Sequence, residues 1–141
     1  MASTQPRDGS TLTATFKVLP SDLAAATSPD AGDDYAKVLA TPRLVAFMEI
    51  VCSRMLVPHQ GAGQMSVGTR VEMDHLAATN VGEMISVTAK FLKKEKKQYA
   101  FETVITDSGG DIGKGKHWRA MIDEERLMAG ANKRMSDGSK M

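Results

Sequence analysis

Thr11 to Leu19 (TLTATFKVL) alternates apolar and polar positions and ends at Pro20, which predicts a strand. A different period begins at Ala40. Leu44, Val45, Phe47, Met48, Val51, Cys52, Met55 and Leu56 place apolar side chains almost all the way round a helix. Thr41 is the expected N-cap, Pro42 suits the first helical position, and Pro58, Gly61 and Gly63 end the segment. A helix apolar on nearly every side is buried rather than amphipathic. Four strand-like segments follow: 66–78, 84–94, 98–107 and 111–122. Asn80–Gly82, the charged run Lys93–Lys97 and Ser108-Gly109-Gly110 are the turns between them. The order predicts an α+β domain in which one long buried helix is wrapped by a curved antiparallel sheet of about five strands.

The rest of the chain reads as accessory to that domain. Residues 1–10 are a polar N-terminal tail expected to be disordered, 11–125 form the domain, and 126–141 are a polar C-terminal tail. Residues 21–34, rich in Ala, Ser, Asp, Gly and Pro, read as a loop with a short helical turn that flaps over a site. A net charge of +1 gives no electrostatic case for nucleic acid as a partner. No apolar run is long enough to span a bilayer, so no membrane partner is expected. The single cysteine, Cys52, cannot form an internal disulfide, which fits a reducing, cytoplasmic setting. The C-terminal Ser139-Lys140-Met141 is similar to a peroxisomal address, which matters only in a eukaryote.

Three residues break the apolar pattern. Glu49 lies in the most apolar stretch, Leu44 to Cys52, where a carboxylate costs several kcal/mol to bury unless it is paired. It is either a structural carboxylate satisfied by its neighbours or a catalytic one. His75 shares a strand face with Val67, Thr69, Val71 and Met73 if the strand alternates regularly, so it faces the helix. The plain alternative is a satisfied core histidine. Thr41 is a helix cap that also stands where free N–H groups favour a developing anion. Thr41 and Glu49 are eight residues apart, roughly 12 Å along a helix, so a histidine or the substrate must mediate between them. Cys52 reads as an inert core thiol, and His59 and His117 lack metal-ligand spacing, so no metal is expected. Gly113 and Gly115 mark close backbone approach rather than a phosphate loop.

Several of these pieces occur together in one known group. Ala40-Thr41 precedes Phe47-Met48-Glu49, and Val67-Gly68-Thr69 leads to His75. Then come Ala77-Ala78-Thr79 with Gly82, and Ile112-Gly113-Lys114-Gly115-Lys116-His117-Trp118-Arg119-Ala120. In order and spacing the chain resembles the fluoroacetyl-CoA thioesterase-like family of hotdog-fold proteins from about Tyr35 to Ile122. The resemblance implies a hotdog fold and hydrolysis of a small or medium acyl-CoA to free acid and CoA. It implies a site of Thr41, Glu49 and His75, with Gly68 beside the acyl pocket and Arg119 on the last strand. Tyr35, before the helix, joins them as a substrate-binding candidate. It further implies a homodimer or a dimer of dimers, because a sheet on one helix leaves its edges uncovered. No cofactor is implied, since CoA is part of the substrate. One feature departs from the family. The fluoroacetyl-specific enzyme closes its pocket with aromatic residues before the helix, whereas Tyr35 is the one aromatic in Ser28–Tyr35 here. That difference points to another acyl group. Two alternatives share the residues: a hotdog enoyl-CoA hydratase or dehydratase, and a non-catalytic acyl-CoA-binding module.

Overall fold

The computed structural model describes residues 5–139. The elements run in chain order as β1 (Thr11–Lys17), α1 (Thr41–Leu56), β2 (Gln64–His75), β3 (Met84–Glu95), β4 (Gln98–Asp107), β5 (Gly110–Asp123) and α2 (Glu124–Ser139). The five strands form one sheet in the order β1-β3-β4-β5-β2, with every neighbouring pair antiparallel. This is the expected α+β, hotdog-like arrangement. Helix α1 lies against one face of the sheet and touches all five strands.

The core is the seam between them. Leu44, Met48, Val51, Cys52 and Leu56 from α1 are fully enclosed, and so are Ile85, Val87, Ala89 and Phe91 from β3 and Phe101 and Ile105 from β4. The expectation of an all-round buried helix needs correction. Val45, Ala46, Glu49 and Ile50 are only half-buried, so one flank of α1 is open. Glu49 is accordingly not engulfed: 39% of its side chain is exposed. An apolar pattern reports which residues avoid water in the finished assembly, not which surface of one chain covers them.

The tails also differ from expectation. Gly9 and Ser10 are tied to β3, with the Gly9 N–H donating to the Phe91 carbonyl and the Phe91 N–H to the Ser10 carbonyl. Residues 126–139 belong to α2, a helix exposed along its described length rather than an irregular tail. Lys140 and Met141 of the C-terminal tripeptide lie outside the described residues.

The segment between β1 and α1 carries two single 3-10 turns, Pro20–Asp22 and Ala24–Ala26, and then an exposed excursion. A Leu23–Leu39 bridge closes the base of that excursion. Asp22 is the clamp. Its carboxylate accepts from the Leu19 N–H at 2.9 Å and from Arg43 Nε at 2.8 Å, while its carbonyl accepts from the Ala40 N–H at 2.9 Å. Arg43 in turn covers the Phe47 ring, which packs on Phe16. The start of α1 is therefore fixed from three sides, and Thr41 with it.

Strand β2 is an edge strand and contains a bulge. Gly68 pairs with Arg119 and Arg70 with Trp118, so Thr69 is an extra residue. The extra residue shifts the alternation by one. Regular alternation puts Gly68 and Ser66 on the face opposite His75. The bulge instead turns Ser66 and Gly68 toward the helix along with Met73 and His75, as their contacts show. Gly115 illustrates why β5 needs glycine: a Cβ there would overlap the Glu72 carbonyl of β2.

Candidate active site

Thr41 is the first residue of α1, and Ala40, not Thr41, occupies the cap position without a side-chain cap bond. The Thr41 hydroxyl is turned instead to the sheet, where Oγ1 lies 2.8 Å from His75 Nδ1. His75 is the last residue of β2 and reaches back over the helix N-terminus. Its Nε2 is enclosed and has no hydrogen-bond partner among the described residues. Leaving a buried ring nitrogen unmatched costs about 1–3 kcal/mol, which is unusual for a purely structural histidine.

Two turns further along α1, Glu49 faces β2 and β5. Its Oε1 lies 3.6 Å from His117 Nε2 and 3.8 Å from Arg119 Nη1. It sits over Gly68, where an added Cβ would overlap the Glu49 carboxylate and crowd His117. Glycine at this position is therefore a requirement of the carboxylate above it. Arg119 is 9% exposed at its side chain and is held on the strand side. Its Nε donates to Ser66 Oγ and its Nη2 to the Ser66 carbonyl, both at 2.9 Å. Ala46, Glu49, Ile50, Ser53, Ser66, Val67, Gly68 and Arg119 line an open cleft of about 430 Å³.

The candidates thus fall into two clusters. Thr41 and His75 are hydrogen-bonded. Glu49, Gly68 and Arg119 are in contact. Glu49 and His75 share no direct hydrogen bond or ion pair among the described residues. Tyr35, 53% exposed, sits on the excursion before the helix and lines neither cluster. Sequence reasoning missed His117 and Ser66. His117 lacks metal-ligand spacing, but it lies two residues before Arg119 and so on the same strand face. Ser66 was hidden by the bulge.

The electrostatics separate the buried groups. Burial pushes the Cys52 thiol up to about 12, with Arg119 opposing and Glu49 adding to the rise. It is an inert residue beneath the cleft. Burial pulls the His117 pKa below its ordinary value of 6.5, and Arg119 adds to the fall against the Arg70 carbonyl and Glu49. The folded chain therefore holds a neutral imidazole that the unfolded chain protonates more readily. Stability from this group is complete above pH 6.5 and declines as pH falls from there through the depressed folded value. Thermal denaturation between pH 7.5 and 5 is expected to show a fall in Tm that is shallower in His117→Gln than in wild type.

A five-stranded antiparallel sheet on one long helix, with a threonine–histidine pair at the helix start and a carboxylate–arginine pair two turns further along, defines a hotdog-fold protein of the thioesterase class. Its sequence places it within that class: the profile of the family described as "FlK: Fluoroacetyl-CoA-specific thioesterase" matches residues 18–125, and the chain belongs to that family. It is 31% identical over 125 residues to a fluoroacetyl-CoA thioesterase of Streptantibioticus cattleyicolor, covering 87% of this chain and 90% of that protein. Among solved structures it is similar to a mutant of the fluoroacetyl-CoA-specific thioesterase FlK in complex with fluoroacetate and CoA. That likeness has a TM-score of 0.83 at 31% identity, covering 86% of this chain and 99% of that one. A thioesterase superfamily member from Thermus thermophilus has a TM-score of 0.84 at 20% identity over 96% of this chain and 97% of that one, a likeness of fold alone.

Proposed function

We propose that this protein hydrolyses the thioester of a small or medium acyl-CoA, with His75 as general base and Thr41 beside it at the attacking oxygen. Thioester hydrolysis as the reaction type rests on membership in the family. The observation that carries the residue roles is the 2.8 Å contact between Thr41 Oγ1 and His75 Nδ1, the pairing expected of an oxygen nucleophile and its base. An oxygen, from the Thr41 hydroxyl or from a water on it, attacks the thioester carbonyl as its proton passes to His75. The carbon–sulfur bond then breaks, and the sulfur leaves as CoA thiol with that proton. Where Thr41 itself attacks, water hydrolyses the acyl-threonine in a second step. The N–H groups of Thr41 and Arg43 in the first turn of α1 are suited to the oxyanion.

Glu49 contributes the negative charge that favours the imidazolium, and Gly68 and Arg119 line the acyl side of the cleft. Within one protomer Glu49 and Thr41 are separated by roughly 12 Å of helix. Glu49 therefore acts across the bound thioester or from a second copy. We further propose a homodimer joined along β2, whose outer edge pairs with no strand among the described residues and whose neighbouring helix flank is open. No cofactor is needed for this chemistry. Among the described residues no helix is long and apolar enough to cross a membrane. A cytoplasmic setting suits the single buried thiol.

The acyl group differs from fluoroacetyl in this reading, because Tyr35 is the one aromatic in the segment 28–35 before the helix and is turned to solvent. The test is thiol release over short, branched and aromatic acyl-CoAs with fluoroacetyl-CoA included. A larger kcat/KM for another acyl-CoA is expected. Preference for fluoroacetyl-CoA overturns the substrate assignment. Ligand-induced stabilisation with no thiol release, or hydration of an enoyl-CoA instead, overturns the hydrolase assignment.

A further inference from the structure

We propose that His117 is a positioning residue of this site, and that it works through Nε2 by fixing the Arg119 guanidinium against the Glu49 carboxylate. The proposal rests on the reading that Glu49 and Arg119 serve the hydrolysis.

The ring has two neighbours of fixed hydrogen-bond character. His117 Nδ1 lies 2.8 Å from the Arg70 carbonyl, which can only accept, so Nδ1 carries the proton. In the neutral ring Nε2 is then an acceptor. It lies 3.1 Å from Arg119 Nη1, which can only donate. The two contacts together define one tautomer. The imidazole is fully enclosed, which favours that neutral form.

The consequence falls on Arg119. With Nε and Nη2 donating to Ser66 and Nη1 to His117, three of its nitrogens are anchored on the strand side. Nη1 has a second N–H, and Glu49 Oε1 lies 3.8 Å from it. Nε2 and the carboxylate oxygen are both lone-pair bearers at 3.6 Å and repel unless a cation stands beside them. The Arg119 guanidinium supplies that cation. Removing the Nε2 acceptor leaves the planar guanidinium held by its two Ser66 bonds alone, and the charge facing Glu49 is less tightly fixed.

The bland alternative is that His117 merely pins the Arg70 carbonyl at the β2 bulge. That role uses Nδ1, and the proposed role uses Nε2, so two amide substitutions separate them. The side-chain amide of Gln places an acceptor near the position of Nε2, whereas that of Asn places a donor near Nδ1. Steady-state thiol release from a competent acyl-CoA is measured for wild type, His117→Gln and His117→Asn, with Tm recorded for each. The expected result is a loss of at least about tenfold in kcat/KM for Asn, with Gln recovering most of it. Asn equal to or better than Gln overturns the proposal. Should either variant fail to fold, 15N NMR of the wild-type imidazole decides. An unprotonated Nε2 whose shift moves in Arg119→Lys supports the proposal, and a protonated Nε2 overturns it. The NMR result stands whether or not wild type releases thiol, so failure of the hydrolase reading is seen separately.

Discussion

Replacing His75 with alanine is expected to lower kcat/KM for thiol release by about 10²–10⁴-fold, the usual contribution of a positioned general base. The physical ground is the environment of the ring rather than its exposure. Nδ1 meets the Thr41 hydroxyl at 2.8 Å, and Nε2 is enclosed with no partner among the described residues. A neutral ring that accepts the Thr41 proton at Nδ1 carries its own proton at Nε2. An imidazolium formed during the reaction needs an acceptor for that N–H. Alanine removes the base, and the one side-chain bond it breaks among the described residues is to the exposed Thr41 hydroxyl. The variant should therefore fold as well as wild type, with Tm unchanged or slightly raised, while activity falls. A parallel loss of Tm and activity instead marks His75 as a structural core residue.

Glu49→Gln carries the second large effect, a fall in kcat of about 10–10³-fold with stability changed by less than about 1 kcal/mol. The two halves of that prediction have separate causes. Stability is spared because Gln matches Glu in shape over Gly68, where there is no space for a change in size. Arg119 also keeps its bonds to Ser66 and His117 when Glu49 loses its charge. Activity is not spared, because the negative charge facing the cleft is the property that Gln lacks. Glu49 is 39% exposed, so its ion pair with Arg119 at 3.8 Å is screened and contributes little to folding. Circular dichroism melts beside steady-state kinetics separate the two halves. Loss of more than about 2 kcal/mol of stability would assign Glu49 to the scaffold.

The sequence displayed the central helix and all five strands because each obeys a clean period. Thr11–Lys17 alternates, and Leu44 to Leu56 repeats apolar residues at helical spacing. It also displayed Glu49 and His75, because a carboxylate and an imidazole among apolar residues are costly and so conspicuous. The bulge at Thr69 was not legible. Adding one residue to a strand leaves no compositional mark, yet it turns Ser66 and Gly68 to the helix and delivers Ser66 to Arg119. Thr41 was legible as a helix-start residue but not as the partner of His75, since the same residue type serves both. Helix α2 escaped for another reason. Its residues meet little of the core, its apolar stripe of Leu127, Met128, Ala131 and Met135 is thin among charged and polar residues, and Gly130 and Gly138 disguise it as a tail. The open flank beside Glu49 was hidden as well, because an apolar helix surface looks the same whether its cover is its own sheet or another chain.

The most direct measurement is thiol release from one competent acyl-CoA by wild type, His75→Ala and Glu49→Gln under identical conditions, each variant shown to be folded. The structure predicts a turning-over wild type, a variant without the ring slowed by at least about 10²-fold, and one without the carboxylate charge slowed by at least about tenfold. Three equal rates would contradict the assignment of the chemistry to these two side chains.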